Sequence, residues 1–67
     1  VNSVLPGVTR TDGLMAAPRP AWEPWVAGTP LDRLAEPEDI SDIIAFLVSD
    51  GGRWITGQTV HASGGAF

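Results

Sequence analysis

The chain has 67 residues, no cysteine and a formal net charge of −4, set by eight acidic residues against four arginines. A domain takes roughly 100–200 residues, so one small domain is the upper bound, and disulfides or a thiolate metal site are not available to staple it. The arginines stand singly at 10, 19, 33 and 53, which argues against nucleic acid, and no apolar run approaches the roughly 18 residues of a membrane helix.

One histidine, His61, cannot make a metal site without ligands from elsewhere, so no metal site is assigned. Val1-Asn2-Ser3 lacks the basic start and apolar stretch of a signal peptide, and the absence of Cys fits a cytoplasmic protein. The chain also has no initiator Met, so the expectation is that it begins inside a longer gene product.

Residues 1–7 read as a strand and a turn. Val1, Val4 and Leu5 are apolar, and Pro6-Gly7 ends the run, because Pro cannot donate to a ladder and Gly permits a sharp turn. Residues 8–34 have a different character. Pro18, Pro20, Pro24 and Pro30 break any long helix, and Trp22 and Trp25 stand three apart. A stretch of this length without regular structure is expected to serve as a lid or binding loop, at most with a short helical turn. The two Trp residues either line an apolar substrate pocket or anchor the lid to the core.

Residues 35–50 carry the helix. Pro37 suits its first position, where a missing N–H costs nothing, and Glu36, Glu38 and Asp39 put negative charge at the positive end of the dipole. Ile40, Ile43, Ile44, Leu47 and Val48 follow the i, i+3, i+4, i+7, i+8 stripe. Gly51-Gly52 is expected to stop it. Residues 51–67 hold the final strand, Gln58 to Ala62, with Thr59 and Val60 as strand formers and Gly64-Gly65 as its end.

Strand, helix and strand in that order make a βαβ unit with parallel strands. Its helix covers one face, whereas parallel strands are normally covered on both. The other face and the edges would meet water. An α/β segment of a larger sheet is expected, not an autonomous fold.

Three motifs sharpen this. Asn2, Val4, Pro6, Gly7 and Thr11 form an Asn-x-Val-x-Pro-Gly-x-x-x-Thr pattern. Arg33-Leu34-Ala35-Glu36-Pro37-Glu38-Asp39-Ile40 opens the helix, and Ile55-Thr56-Gly57-Gln58 is followed by Ser63-Gly64-Gly65. In this order they resemble the carboxy-terminal part of the short-chain dehydrogenase/reductases, a family of NAD(P)-dependent oxidoreductases. The departures are Ala35 for the usual Gly, His61 for a common Asp and Ala62 for a larger aliphatic.

The resemblance implies the carboxy-terminal βαβ part of a Rossmann-like, doubly wound parallel sheet. It implies an enzyme that moves a hydride between NAD or NADP and a carbonyl or alcohol substrate. Pro6 and Gly7 would pass the nicotinamide, the backbone of Thr9 would meet the carboxamide, and the Thr11 hydroxyl would reach the carboxamide or the pyrophosphate. The full enzyme would be a homodimer or homotetramer, with the last strand contributing to subunit contacts.

The family's proton relay is a Tyr kept ionisable by a Lys four residues on, helped by a Ser. No Tyr and no Lys occur here, and no Gly-rich pyrophosphate turn. No catalytic residue is therefore assigned, and the remainder of the domain is the first partner expected. His61 is read as a strand or interface residue, with a catalytic base as the rival. A Ser63–His61–Asp triad lacks a Gly-x-Ser-x-Gly elbow, and its Ser and His lie two apart on one strand. The alternative to part of an oxidoreductase is a non-catalytic interaction element that docks on a complementary amino-terminal chain or a neighbouring subunit.

Overall fold

A computed structural model describes all of residues 1–67. Strand β1 (Ser3–Pro6) lies parallel to β2 (Thr59–Ala62), with Ser3 opposite Thr59 and Pro6 opposite Ala62. Between them come α1 (Asp12–Met15), α2 (Arg19–Ala27), α3 (Pro37–Val48) and a 3-10 turn over Asp50–Gly52. No helix is long and apolar enough to cross a membrane.

β1 begins two residues later than the sequence predicts and runs through Pro6. The reason is register. The Gly7 N–H donates to the Ala62 carbonyl at 3.0 Å, so Pro6 sits where a strand residue turns its nitrogen to the opposite edge. A proline there removes no bond of this ladder. Asn2 locks the start of the strand from its side chain. Its Nδ2 donates to the Ile55 carbonyl at 3.1 Å, and its Oδ1 accepts the Gln58 N–H at 3.0 Å.

The lid segment departs most from expectation, because α2 is a nine-residue helix that contains both Pro20 and Pro24. Pro20 lies in the first turn, where no N–H is needed. Pro24 removes only the bond to the Pro20 carbonyl. The end of the helix is closed by Gly28 N–H to the Pro24 carbonyl at 3.1 Å and by the Thr29 hydroxyl, which donates to the Trp25 carbonyl at 2.8 Å. Trp22 and Val26, one turn apart, are its half-buried residues.

α3 starts at Pro37 as the proline and acidic residues dictate, and the Asp39 carboxylate accepts the Glu36 N–H at 2.7 Å. It ends earlier than the Gly pair. Ser49 is extended, and its hydroxyl donates to the Phe46 carbonyl at 2.6 Å. Gly51-Gly52 instead form the 3-10 turn, where Gly52 rests so closely on the helix end that a Cβ would lie 2.5 Å from the Leu47 carbonyl oxygen.

Ile40, Ile43 and Leu47 are half-buried, while Ile44 and Val48 of the same stripe are exposed. Two strands about 4.8 Å apart offer a platform no wider than one helix, so the stripe overhangs it. Only four of the 67 residues are buried: Leu34, Thr29, Ser63 and Gly52. Leu5, Val48 and Trp54 stand in water, Trp54 with 96% of its surface exposed.

Candidate functional site

The site grows from the end of β1. At Gly7 the two strand ends close on each other, and a Cβ there would lie 2.8 Å from Ser63 Cα. The chain then runs alongside Ala35: the Ala35 N–H donates to the Val8 carbonyl at 3.0 Å, and the Arg10 N–H donates to the Ala35 carbonyl at 2.7 Å. In such a parallel bridge the middle residue, Thr9, turns its own N–H and carbonyl away. Neither is hydrogen-bonded within the chain. A free donor beside a free acceptor on one backbone unit matches the two halves of a primary amide.

The threonine side chains are used locally. The Thr9 hydroxyl donates to the Gly7 carbonyl at 2.9 Å, and the Thr11 hydroxyl caps α1 by accepting the Leu14 N–H at 3.2 Å. Thr11 retains its own hydroxyl hydrogen for a second partner.

Pro6, Gly7, Trp22 and Trp25 line one cleft of about 590 Å³, joined by Leu14, Thr29 and Phe67. Thr9 and Thr11 lie outside its wall. On the other side of the turn, Gly7, Val8 and Thr29 also border a smaller cavity of about 150 Å³ that reaches Asp39 and Ile43.

The cleft exists because the lid and the tail are both tied to the end of β2. Gly64 and Gly65 have φ of +62° and +94°, a reversal open mainly to glycine, and they fold the tail back. Ser63 holds that reversal, with its Oγ donating to the Phe67 carbonyl at 2.9 Å and accepting the Phe67 N–H at 3.3 Å. The Leu31 N–H donates to the Gly64 carbonyl at 3.2 Å, which pins the lid's exit. His61 is exposed on β2, its ring edge-on to Phe67 at 5.3 Å.

Charges frame the turn. Arg33 grips Asp39 with two bonds of 2.7 and 3.2 Å, and Arg10 meets Glu36 at 2.8 Å. The Arg33 guanidinium, through its hydrogen bonds and its charge, and the Glu36 N–H hold the Asp39 carboxyl down at about 2, and Asp39 in turn raises Arg33. Arg19 pairs with Glu23 at 3.4 Å and lies over the Trp22 ring at 5.7 Å. The Trp22 Nε1 is enclosed with no acceptor in the chain.

Sequence reasoning missed Thr29, Phe67 and Leu14 as parts of the site, and the clamp made by Asn2. The Gly64-Gly65 pair marked the reversal that brings Phe67 back, but nothing in the pattern said where it would land.

A family model described as enoyl-(acyl carrier protein) reductase matches residues 1–66. The chain belongs to the short-chain dehydrogenase/reductase family. It is 44% identical over 66 residues to a 3alpha-hydroxysteroid dehydrogenase of Mediterraneibacter gnavus, covering 98% of this chain and 26% of that one. A 3-oxoacyl-[acyl-carrier-protein] reductase, FabG, of Pseudomonas aeruginosa is 39% identical over 67 residues, with 100% and 27% covered. Among solved structures, angucycline C-6 ketoreductase LanV with bound NADP matches with a TM-score of 0.88 and 42% identity, over 98% of this chain and 26% of that one. The chain thus spans about a quarter of the length of the family members it matches, and its parallel strand pair is part of a larger Rossmann-like sheet.

Proposed function

We propose that the protein carrying this segment is an NAD(P)-dependent oxidoreductase acting on a carbonyl or alcohol substrate. The chain supplies the nicotinamide-side turn at Pro6, Gly7, Thr9 and Thr11, and a substrate lid over residues 8–34 that bears Trp22 and Trp25. The observation that carries this reading is the convergence of the Pro6-Gly7 turn and both lid tryptophans on one cleft. Support comes also from similar proteins named as dehydrogenases and reductases, one of them solved with NADP.

The residues present fit the cofactor. A bound nicotinamide nucleotide supplies or accepts the hydride. The Thr9 N–H and carbonyl would hold its carboxamide, and Trp22 and Trp25 would shield the adjoining cleft from water. In reduction the carbonyl carbon gains a hydride and its oxygen a proton; oxidation returns both. With no Tyr and no Lys in these residues, the proton is exchanged with a group on the rest of the domain. That remainder is the first partner in this reading, and the whole enzyme is a cytoplasmic homodimer or homotetramer.

Titrating the full-length protein with NADH and with NADPH, and following energy transfer from tryptophan to the nucleotide, tests the reading. Saturable binding of one of them is expected. Failure of both to bind refutes it.

A second reading rests on the four buried residues and on the exposure of Val48 and Trp54, 81% and 96%. In it the chain is an interaction element that docks on a complementary amino-terminal chain or a neighbouring subunit. Mixing the two purified pieces then yields one cooperative unfolding transition. Two independent species after mixing would rule this out.

A further inference from the structure

We propose that Ser63 is a positioning residue for the lid: it folds the tail back so that Phe67 seats α2 over the cleft. The inference goes beyond the oxidoreductase reading, and its test contains no nucleotide, so the two stand or fall separately.

The two ends of the lid are held by different parts of the chain. Its entry is tied to the start of α3, through the bonds of Val8 and Arg10 with Ala35 and the 2.8 Å contact of Arg10 with Glu36. Helix α2, by contrast, has no extended contact with either strand or with α3. The residues that leave it rest on the tail. The Leu31 N–H donates to the Gly64 carbonyl, a Cβ on Gly64 would lie 2.9 Å from Thr29 Cγ2, and one on Gly65 would lie 2.9 Å from Pro30 Cγ. Thr29 and Ser63, one on each side of this junction, are two of the four buried residues of the chain. That burial is made by the chain itself, whatever the rest of the domain adds.

One hydroxyl keeps the tail in place. Ser63 Oγ donates to the Phe67 carbonyl and accepts the Phe67 N–H, and the other bond within the tail is a single one, from the Ala66 N–H to the Ser63 carbonyl at 3.2 Å. A short tail with two glycines loses much conformational freedom on folding back, so it disperses when its clasp is removed. Phe67 then leaves the cleft wall that it shares with Trp22, Pro24 and Trp25, and α2 loses its support on that side.

Amide hydrogen exchange on the full-length protein, followed residue by residue, tests this. Ser63→Ala is expected to accelerate exchange at Gly28, Thr29 and Leu31 by about threefold to tenfold, as the loss of one or two neutral hydrogen bonds dictates. Met15 at the entry, and Ile43 and Phe46 in α3, should stay within about twofold of the parent, since local opening of the exit leaves them folded. Phe67→Ala should accelerate the same amides of the exit; Phe67 is largely exposed, so this variant keeps the fold. The double variant should be no more than about twofold faster than the faster single one, because a hydroxyl that acts by placing Phe67 has nothing left to place. Phe67→Leu, which keeps a large apolar side chain on the tail, should restore most of the protection. Unchanged exchange at Gly28 and Thr29 in Ser63→Ala, equal acceleration in α2 and α3, or single effects that multiply in the double variant would each overturn the inference.

Discussion

One methyl group at Gly7 probes the turn on which the site depends. The Cβ of Gly7→Ala would lie 2.8 Å from Ser63 Cα and 3.1 Å from its carbonyl oxygen, against an ordinary contact of 3.4 Å or more. Gly7 is not at positive φ, so the cost is steric and not conformational. Both obstructing atoms are main chain and cannot swing aside. Separating them stretches the 3.0 Å bond from the Gly7 N–H to the Ala62 carbonyl or displaces Ser63, which holds Phe67 in the cleft wall. Overpacking of this kind costs about 1–3 kcal/mol. In a domain of some 250 residues each kcal/mol moves the midpoint by about 2–4 °C, so Gly7→Ala should lower Tm by roughly 2–12 °C. Differential scanning calorimetry of the full-length protein measures this, with Gly13→Ala as the companion, because a Cβ at Gly13 meets nothing within 4 Å. That companion should leave the midpoint unchanged or raise it, by about 0.4–1 kcal/mol in stability. A Gly7→Ala protein that melts within a degree of the parent would show that this close approach is wrong.

Thr9→Ala keeps the free backbone donor and should change nucleotide affinity less than about twofold, whereas Thr9→Pro deletes the N–H and should weaken it about threefold to tenfold. Equilibrium titration separates the two, and a larger effect of Ala than of Pro would contradict a main-chain contact. Thr11→Ala removes the cap of α1 and should destabilise that turn by about 0.5–2 kcal/mol, read as faster amide exchange at Leu14 than in the parent. Asp39 is held at about 2 against an ordinary 3.8, so the folded state favours its ionised form. Its contribution is complete above the ordinary value and is lost as pH falls toward about 2, the direction expected for a depressed carboxylate. A carboxyl-carbon NMR titration that places Asp39 at or above 3.8 would disprove the Arg33 grip. The isolated 67-residue chain, with four buried residues, should show no cooperative thermal transition.

The sequence by itself determined what local chemistry can specify. Pro37, the acids beside it and the isoleucine stripe dictate a helix that starts where α3 starts, because capping, dipole and periodicity all act within a few residues. The two short strands and the turn after the first were legible for the same reason, and the motif order carried the family. Tertiary structure decided the rest. Whether Pro6 ends β1 depends on which edge of the strand faces β2, and this is fixed by pairing with residues more than 50 positions away. Pro20 and Pro24 argue against a helix locally, yet α2 forms, with one proline in its first turn and its end tied by Thr29. Phe67 joins Trp22 and Trp25 only after Gly64 and Gly65 reverse the tail against the lid. Those contacts join residues distant along the chain, and no periodicity in the sequence encodes the distances that bring them together.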